Sequence, residues 1–259
     1  MKLIDTHAHL DQDSFDADRD EVIARAVAAG VVAMIAIGCT GPTSAAAVRL
    51  AAQHGSVFAA VGIQPNYAAE VPASDWDEVV TLSTAPRVVA LGETGLDRYW
   101  DHSPLAVQQD YFDRHLRLSQ QTGLPFIVHT RNSDAEVLEM LREARLRGPL
   151  VGVLHSFTGT LETAAECVEL GLHISFAGMV TFKKSDDLRA VAASVPADRI
   201  LVETDSPYLS PHPLRGRRNE PANVVYTAEC LAAASGVSLE DFAAQTTVNA
   251  RSLFRLGEV

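Results

Sequence analysis

Short apolar runs alternate with longer amphipathic segments along the whole chain, and this alternation restricts the possible folds more than any other feature. Eight runs can be counted, each nearly continuous in apolar character, as expected of strands buried on both faces. The predicted strands are residues 3–5, 31–37, 57–63, 88–91, 126–128, 151–154, 173–176 and 200–202. Strands of this kind are typical of a parallel sheet covered by helices.

The segments between the predicted strands have the pattern of helices that pack one face against a sheet. In the segment after residue 133, Val137, Leu141 and Ala144 recur at three- and four-residue spacing, with charged residues on the opposite side. Three hydroxyl residues occupy positions expected of helix amino-terminal caps, namely Ser74, Ser133 and Thr160. Because the strand-then-helix order repeats eight times without a flexible linker, we expect an α/β fold, a single (β/α)8 TIM barrel formed by residues 1–259 as one domain.

The charge balance limits how the protein can meet a nucleic acid. With 21 basic and 33 acidic residues the formal net charge is −12, which argues against a broad basic surface along a duplex but allows a pocket for a strand end. The three cysteines are widely separated, which is neither a disulfide framework nor a Cys-x-x-Cys metal site. The first residues lack a signal-peptide core, so we expect a cytoplasmic protein without membrane association. No protein partner is implied, and a monomer or weak oligomer is expected.

Polar residues with metal-binding chemistry follow most of the predicted strands. Active sites of (β/α)8 barrels lie at the carboxyl ends of the strands, so side chains just beyond each strand should converge on one rim. In chain order these side chains are His7, His9, Gln64, Glu93, His129, His155 and Asp205. The other five histidines are expected to be structural or solvated.

Convergence of four imidazoles and two carboxylates favours a metal centre over a merely hydrogen-bonded rim. His7 and His9 are two apart on an extended segment and therefore point to the same side. Without a cation the buried polar groups would be poorly satisfied and the carboxylates would repel each other. Six ligands are too many for one tetrahedral zinc, so we expect two divalent ions, with Glu93 as the carboxylate that bridges them. The metal remains open among zinc, manganese, nickel, iron and magnesium.

Basic and amide side chains follow the fifth, seventh and eighth predicted strands. They are Arg131, Lys183, Arg215, Arg217 and Asn219. A solvated basic loop is the simplest interpretation, but loops after strands seven and eight commonly bind phosphate in such barrels. We therefore expect these residues, together with Gln64, to bind a phosphate group.

Several ordered motifs resemble one enzyme family. They are Asp-Thr-His-Ala-His-Leu at residues 5–10, Gly-Glu-Thr-Gly-Leu-Asp at 92–97, His-Ser-Phe-Thr-Gly at 155–159, Glu-Thr-Asp-Ser-Pro-Tyr at 203–208 and Arg-Gly-Arg-Arg-Asn-Glu-Pro at 215–221. In these motifs the chain resembles the TatD-type metal-dependent deoxyribonucleases of the amidohydrolase superfamily. The family usually has Gly-x-His-Pro-His where this chain has Gln64 and Asn66, and usually has cysteine at Ser156.

The resemblance implies a metal-dependent hydrolase of phosphodiesters, often a 3′-to-5′ exonuclease acting on single strands. Carried over by position, one metal would be held by His7, His9, Glu93 and Asp205. The second metal would be held by Glu93, His129 and His155.

The chemistry of a metal pair suggests the catalytic roles. Glu93 and Asp205 would be catalytic, with Asp205 orienting the attacking water or accepting its proton, while Glu203 would support the ligands without binding metal. RNA remains an alternative to DNA, because a hydrolytic metal pair does not select the sugar. A small-molecule amidohydrolase or lactonase using the same two metals is the principal rival, and a noncatalytic binding module is a third possibility.

Overall fold

Eight parallel strands, paired in chain order, form an almost closed barrel in the computed structural model, which describes residues 1–257. The strands are β1 (Leu3–Ala8), β2 (Val31–Ile37), β3 (Val57–Val61), β4 (Val88–Asp97), β5 (Phe126–Arg131), β6 (Gly152–Leu154), β7 (His173–Phe176) and β8 (Ile200–Val202). This arrangement confirms the predicted TIM-barrel fold class. The prediction that residues 1–259 form one domain stays a prediction, and residues 258 and 259 lie outside the described part.

Helices surround the barrel and one further helix closes an end of it. They are α1 (Arg19–Ala28), α2 (Gly41–Gln53), α3 (Ala73–Leu82), α4 (Leu105–Thr122), α5 (Asp134–Arg147), α6 (Leu161–Glu169), α7 (Asp186–Ser194), α8 (Val224–Ser235) and α9 (Leu239–Phe254). Single turns of 3-10 helix occur at Asp13–Phe15, Pro65–Tyr67, Gly178–Thr181 and Pro221–Asn223. Among residues 1–257, no helix has both the length and the apolar character needed to cross a bilayer.

The barrel interior is apolar at the end opposite the candidate site. Inward-facing Ile4, Ile35 and Leu201 pack in one cluster with Leu253 and Phe254 of α9. A second, larger cluster fills the layer between strands and surrounding helices. Because α9 closes the amino-terminal end with apolar side chains, only the carboxyl ends of the strands are free to carry polar chemistry.

Two of the three predicted helix caps occupy the expected position. Thr160 begins α6 and its side chain accepts a hydrogen bond from the Thr163 backbone N–H. Ser133 precedes α5, but its hydroxyl donates to the Leu96 carbonyl instead of capping the helix. The prediction for Ser74 is wrong, because α3 already begins at residue 73, after Pro72. Proline at that position fixes an extended backbone and provides the entry into the helix.

Backbone hydrogen bonds beyond the end of β8 complete the barrel. The Asp205 N–H donates to the His7 carbonyl at 2.9 Å, and the His9 N–H donates to the Ser206 carbonyl at 2.8 Å. The same contacts therefore close the barrel and bring Asp205 beside His7 and His9.

His115 of α4 is one of the histidines expected to be structural, and the structure buries it completely. Its Nε2 accepts a hydrogen bond from the Ile63 N–H at 3.1 Å, and its Nδ1 lies 2.7 Å from the Tyr111 carbonyl oxygen. Burial lowers the pKa of this imidazole to about 4. The ring is therefore held neutral with Nε2 unprotonated.

We expect His115 to make stability fall on acidification. An unfolded histidine takes up its proton near pH 6.5, whereas the folded one stays neutral down to about 4, so acid favours the unfolded state within that window. From pH 7.5 to pH 5 the loss from this residue is about 2 kcal/mol. Urea unfolding in EDTA should show that His115→Gln destabilises the protein about 2 kcal/mol less at pH 5 than at pH 7.5. His212→Gln, at an exposed position, is the control, and an equal cost of His115→Gln at both pH values would contradict the prediction.

Candidate metal centre

The carboxyl ends of the strands surround an open cavity of about 1100 Å³. Five of the six predicted metal ligands line it, namely His9, Glu93, His129, His155 and Asp205. The sixth, His7, is fully buried beside them. All six predicted ligands therefore lie together at one end of the barrel.

One group of ligand atoms is formed by residues from β1, the position just after it, β4 and the segment after β8. The Nε2 atoms of His7 and His9 are 3.3 Å apart. Glu93 Oε2 lies 3.4 Å from His7 Nε2 and 3.7 Å from His9 Nε2. Asp205 Oδ1 lies 3.7 Å and 3.4 Å from the same two nitrogens. These four atoms face one another across a common centre.

A second group contains the other oxygen of Glu93. Its Oε1 lies 2.9 Å from His129 Nδ1 and 3.2 Å from His155 Nε2. The two imidazole nitrogens are 3.5 Å apart. Each oxygen of the Glu93 carboxylate thus faces its own group of ligand atoms.

The spacing of the first group suits a bound divalent cation. Ligands held about 2.0–2.1 Å from a tetrahedral metal lie roughly 3.3–3.4 Å apart, close to the separations among His7, His9, Glu93 and Asp205. Imidazole nitrogens and carboxylate oxygens are also the donors that such a metal accepts. Subsets of these residues lie close enough together to hold a metal ion, and the arrangement fits one.

The charges of the centre depend on one another. Burial opposes ionisation of the Glu93 carboxyl, but the His155, His129 and His7 imidazoles lower its pKa well below the usual range. Burial also opposes charge on His155, yet Glu93 and Glu203 raise its pKa well above the usual value. Positive charge is therefore favoured at the position between the carboxylates, and a divalent cation would displace the imidazole protons that otherwise supply it.

Two glycines allow β4 to approach β5 closely enough to place Glu93 beside His129. Gly92 has φ +129°, and a Cβ there would lie 2.7 Å from the Ile127 carbonyl oxygen. At Gly95, with φ +126°, a Cβ would collide with the His129 carbonyl oxygen. Only glycine combines these backbone angles with such contacts.

The buried carboxyl group of Asp5 holds the segment that carries Asp205. From the sequence, Asp5 was noted only as part of a motif. Asp5 accepts hydrogen bonds from the Thr204 N–H at 2.9 Å and the Thr204 hydroxyl at 2.6 Å. Its Oδ1 also accepts from the His7 N–H at 3.3 Å. Asp5 thus connects β1 to the segment that carries Asp205. A carboxylate inside a predicted buried strand was the signal for it.

Glu203 lies directly behind the second group of ligand atoms. Its Oε1 is 3.2 Å from His155 Nδ1 and accepts from the Ser156 N–H at 2.7 Å. Its Oε2 accepts from the Ser175 hydroxyl at 2.5 Å. These contacts orient His155 so that Nε2 faces Glu93, and the supporting role of Glu203 toward a metal stays a prediction.

We expect Glu203→Gln to weaken metal binding without abolishing it. The amide cannot stabilise the His155 imidazole as the carboxylate does, and such supporting partners are worth about 10–100-fold in metal affinity. Metal titration by calorimetry should show this loss, with Glu162→Gln on the surface as the control. An unchanged metal affinity in the Glu203→Gln protein would contradict the supporting role of Glu203.

Asp97 supports His129 in the same manner and was missed by sequence reasoning. Its Oδ2 lies 2.9 Å from His129 Nε2 and accepts from the Asn66 side-chain amide at 3.1 Å. Although burial opposes ionisation, hydrogen bonds and the nearby His129 lower the pKa of Asp97 to about 2. The sequence feature that could have indicated Asp97 was its position four residues after Glu93. The structure shows that both residues lie on β4, which is longer than predicted.

Cys39, just beyond β2, also contacts the centre. Its Sγ lies 3.7 Å from His9 Nδ1, on the ring atom opposite the one that faces the ligand group. Burial raises the pKa of the thiol to about 11. The sequence analysis assigned no site residue to the end of the second strand. The cysteine at this position was the feature that could have indicated one.

The predicted phosphate-binding residues do not all lie at the cavity. Arg131 and Gln64 line it. Lys183, Arg215 and Arg217 are exposed elsewhere, and the Arg215 guanidinium lies 3.7 Å from the centre of the Phe182 ring. The loop that follows β8 therefore does not bring Arg215 and Arg217 to the predicted metal ligands.

Asn219 requires a correction. It is fully buried, and its side-chain amide donates to the carbonyls of Thr204 and Tyr208 at 2.9 Å and 2.7 Å. Its side-chain oxygen accepts from the Glu220 N–H at 3.0 Å. With these polar groups engaged inside the protein, Asn219 holds the loop beside Asp205 instead of reaching a phosphate.

Sequence comparison identifies the family. The chain matches the family described as TatD related DNase over residues 4–255. The chain belongs to this family. The TatD family predicted from the motifs is thereby confirmed, and with it the enzyme class, a metal-dependent hydrolase.

Individual TatD relatives match over almost their whole length. The chain is 39% identical over 254 residues to the uncharacterized metal-dependent hydrolase YabD of Bacillus subtilis (strain 168), covering 98% of this chain and 99% of that protein. It is 34% identical over 257 residues to the 3′-5′ ssDNA/RNA exonuclease TatD of Klebsiella pneumoniae (strain 342), covering 97% of each. The crystal structure of YJJV, a TatD homologue from Escherichia coli K12, matches with a TM-score of 0.93 at 28% identity over 98% of both chains.

Proposed function

We propose that this TatD-family protein is a phosphodiesterase with two divalent metal ions that removes nucleotides from the 3′ end of single-stranded DNA. The observation that carries the proposal is the Glu93 carboxylate, each of whose oxygens faces a separate group of ligand atoms. Such a carboxylate is what a pair of ions needs as a bridge, and paired ions suit displacement at phosphorus. The name of the Klebsiella relative supports the substrate class and includes RNA as well as DNA.

The proposed ligands divide between the two ions by position. His7, His9 and Asp205 would hold one ion, His129 and His155 the other, and Glu93 both. When bound, divalent ions lower the pKa of water and offset negative charge on phosphate oxygens.

The chain's own residues would orient the water and receive its proton. Asp205 Oδ1 is the oxygen nearest His7 and His9, which leaves Oδ2 to accept the proton of the attacking water. Arg131 and Gln64, on the cavity wall, would hold the remaining phosphate oxygens. The Asn66 side-chain amide donates a hydrogen bond to Asp97. Because an amide cannot act as a general acid at neutral pH, Asn66 would position Asp97 and would not protonate a leaving group.

An end of a strand suits this cavity better than the middle of a duplex. The net charge of −12 disfavours a long electrostatic contact with DNA, whereas a metal pair and Arg131 would offer positive charge to one phosphate within the cavity. The cytoplasmic location and the monomer or weak oligomer predicted from the sequence remain part of this proposal.

The test uses metal-reconstituted protein and oligonucleotides labelled at either end. We expect mononucleotides to be released stepwise from the 3′ end of single strands, with much slower attack on blunt duplexes. Release from neither end would refute the nuclease proposal. Lactones and amides assayed in parallel address the rival activity, which the wide cavity and its arginine do not favour.

A further inference from the structure

The exposed aromatic side chains of residues 1–257 are concentrated at the candidate site. Four large aromatic residues are exposed in this part of the chain, and all four line the cavity, namely Tyr67, Tyr99, Trp100 and Tyr208. Tyr99 is 53% exposed and Trp100 is 47% exposed. Leaving large aromatic rings exposed to water does not stabilise the fold. Their concentration at one cavity therefore points to a ligand with aromatic faces.

Two of these rings form a platform with an arginine. The Tyr99 and Trp100 rings meet edge to face, with centroids 4.8 Å apart. The Arg131 guanidinium carbon lies 3.8 Å from the centre of the Tyr99 ring and 5.6 Å from that of Trp100. No carboxylate of residues 1–257 lies within ion-pair distance of Arg131. Its charge therefore remains available to a phosphate while its plane is held by the rings.

Hydrogen bonds hold both ends of the loop that carries Tyr99 and Trp100. Asp97 Oδ1 accepts hydrogen bonds from the Tyr99 and Trp100 N–H groups at 2.9 Å and 3.1 Å. At the other end of the loop, the Ser103 hydroxyl donates a hydrogen bond to the Asn66 carbonyl at 3.1 Å and accepts one from the Ala69 N–H at 3.0 Å. A loop held at both ends loses little freedom on binding.

The same carboxylate connects the platform to the metal ligands. Asp97 Oδ2 lies 2.9 Å from His129 Nε2, and His129 Nδ1 lies 2.9 Å from Glu93 Oε1. The backbone of the loop that carries the rings is therefore tied through Asp97 to the ligand groups. A strand with its terminal phosphodiester at those groups would have a base within reach of the rings.

From this geometry we infer that Trp100, braced edge to face against Tyr99 and its Arg131 partner, stacks a nucleobase of the single strand whose end is cleaved. The inference rests on the proposed nuclease function and names how its substrate is held. Stacking tolerates any base and requires an unpaired one. Its contribution does not depend on charge, which suits a chain of net charge −12.

Binding can be tested apart from catalysis because the chain has two tryptophans. In a Trp76→Phe protein the emission comes from Trp100 alone. Metal-loaded protein is titrated with hydrolysis-resistant phosphorothioate oligothymidylate, and with an abasic oligomer of equal length and charge. We expect saturable quenching by the thymidylate and at least tenfold weaker binding of the abasic oligomer. Equal affinity for both, or binding without a change in Trp100 emission, would overturn the inference.

Kinetics separate this inference from the nuclease proposal. Trp100→Ala should raise KM for single-stranded DNA about tenfold with kcat nearly unchanged, and Trp100→Phe should recover most of the loss. Cleavage at wild-type KM by the Trp100→Ala protein would refute the stacking platform and leave the nuclease intact. Base-dependent quenching in a protein that hydrolyses no oligonucleotide would refute the nuclease and keep the platform as a nucleic-acid binding site.

Discussion

The Asp205→Asn protein is expected to fold and to lose catalysis, with kcat lower by about 10²–10⁴-fold. Asp205 has φ +53°, in the left-handed region, and asparagine tolerates this region as well as aspartate does. The backbone bond from its N–H to the His7 carbonyl does not involve the side chain. The substitution therefore removes the proton acceptor and one charged ligand atom while keeping shape.

The assay for this variant must separate proton transfer from metal loss. Release of mononucleotides is measured at saturating metal, with metal content and thermal unfolding determined on the same sample. Asp187→Asn, at an exposed position of α7, provides the matched control and should behave as wild type. If Asp205→Asn digests single-stranded DNA at the wild-type rate, Asp205 has no part in the chemistry.

The convergence of the predicted metal ligands on one rim could be foreseen because it depends on topology alone. In a parallel barrel, the side chains after successive strands share one rim whatever the loops do, so His129 and His155 could be grouped with Glu93 before any distance was known. The structure brings them within 3.2 Å or less of Glu93 Oε1.

Asp97 could not be predicted in the same way because β4 ends later than its apolar pattern does. The apolar run stops at Leu91, and the following Gly92, Glu93 and Gly95 look like a loop. In the structure β4 continues to Asp97, with Gly95 paired to His129. Functional residues replaced apolar ones within the strand, and this removed the periodicity on which the prediction depended.

The loop after β8 shows the other limit of sequence reasoning. Its arginines suggest a phosphate site because the sequence gives their charge but not the direction in which their side chains point. Arg215 instead packs on Phe182, and Asn219 bonds the carbonyls of Thr204 and Tyr208. Contacts between residues far apart in a loop arise from tertiary packing, which local patterns do not encode.

Glu93→Gln should have the largest effect on metal binding, because one carboxylate faces both groups of ligand atoms. The amide keeps the shape but offers one oxygen and one NH₂, and an NH₂ group cannot bind a cation. It also removes the negative charge that favours positive charge on His155, and hence at the position of the proposed ions. We expect at least one of the two ions to be lost and hydrolysis to fall below detection.

Metal content after dialysis and thermal unfolding with and without EDTA measure this loss. A bound ion stabilises the folded state by an amount that grows with its concentration over Kd, so the wild-type unfolding temperature should fall in EDTA. In the Glu93→Gln protein that difference should shrink or vanish. Glu162→Gln is the matched control, since it removes one carboxylate charge at an exposed position and should retain both ions. Two equivalents bound to Glu93→Gln with wild-type affinity would mean that Glu93 does not bridge, and the two-ion centre would then need a different carboxylate.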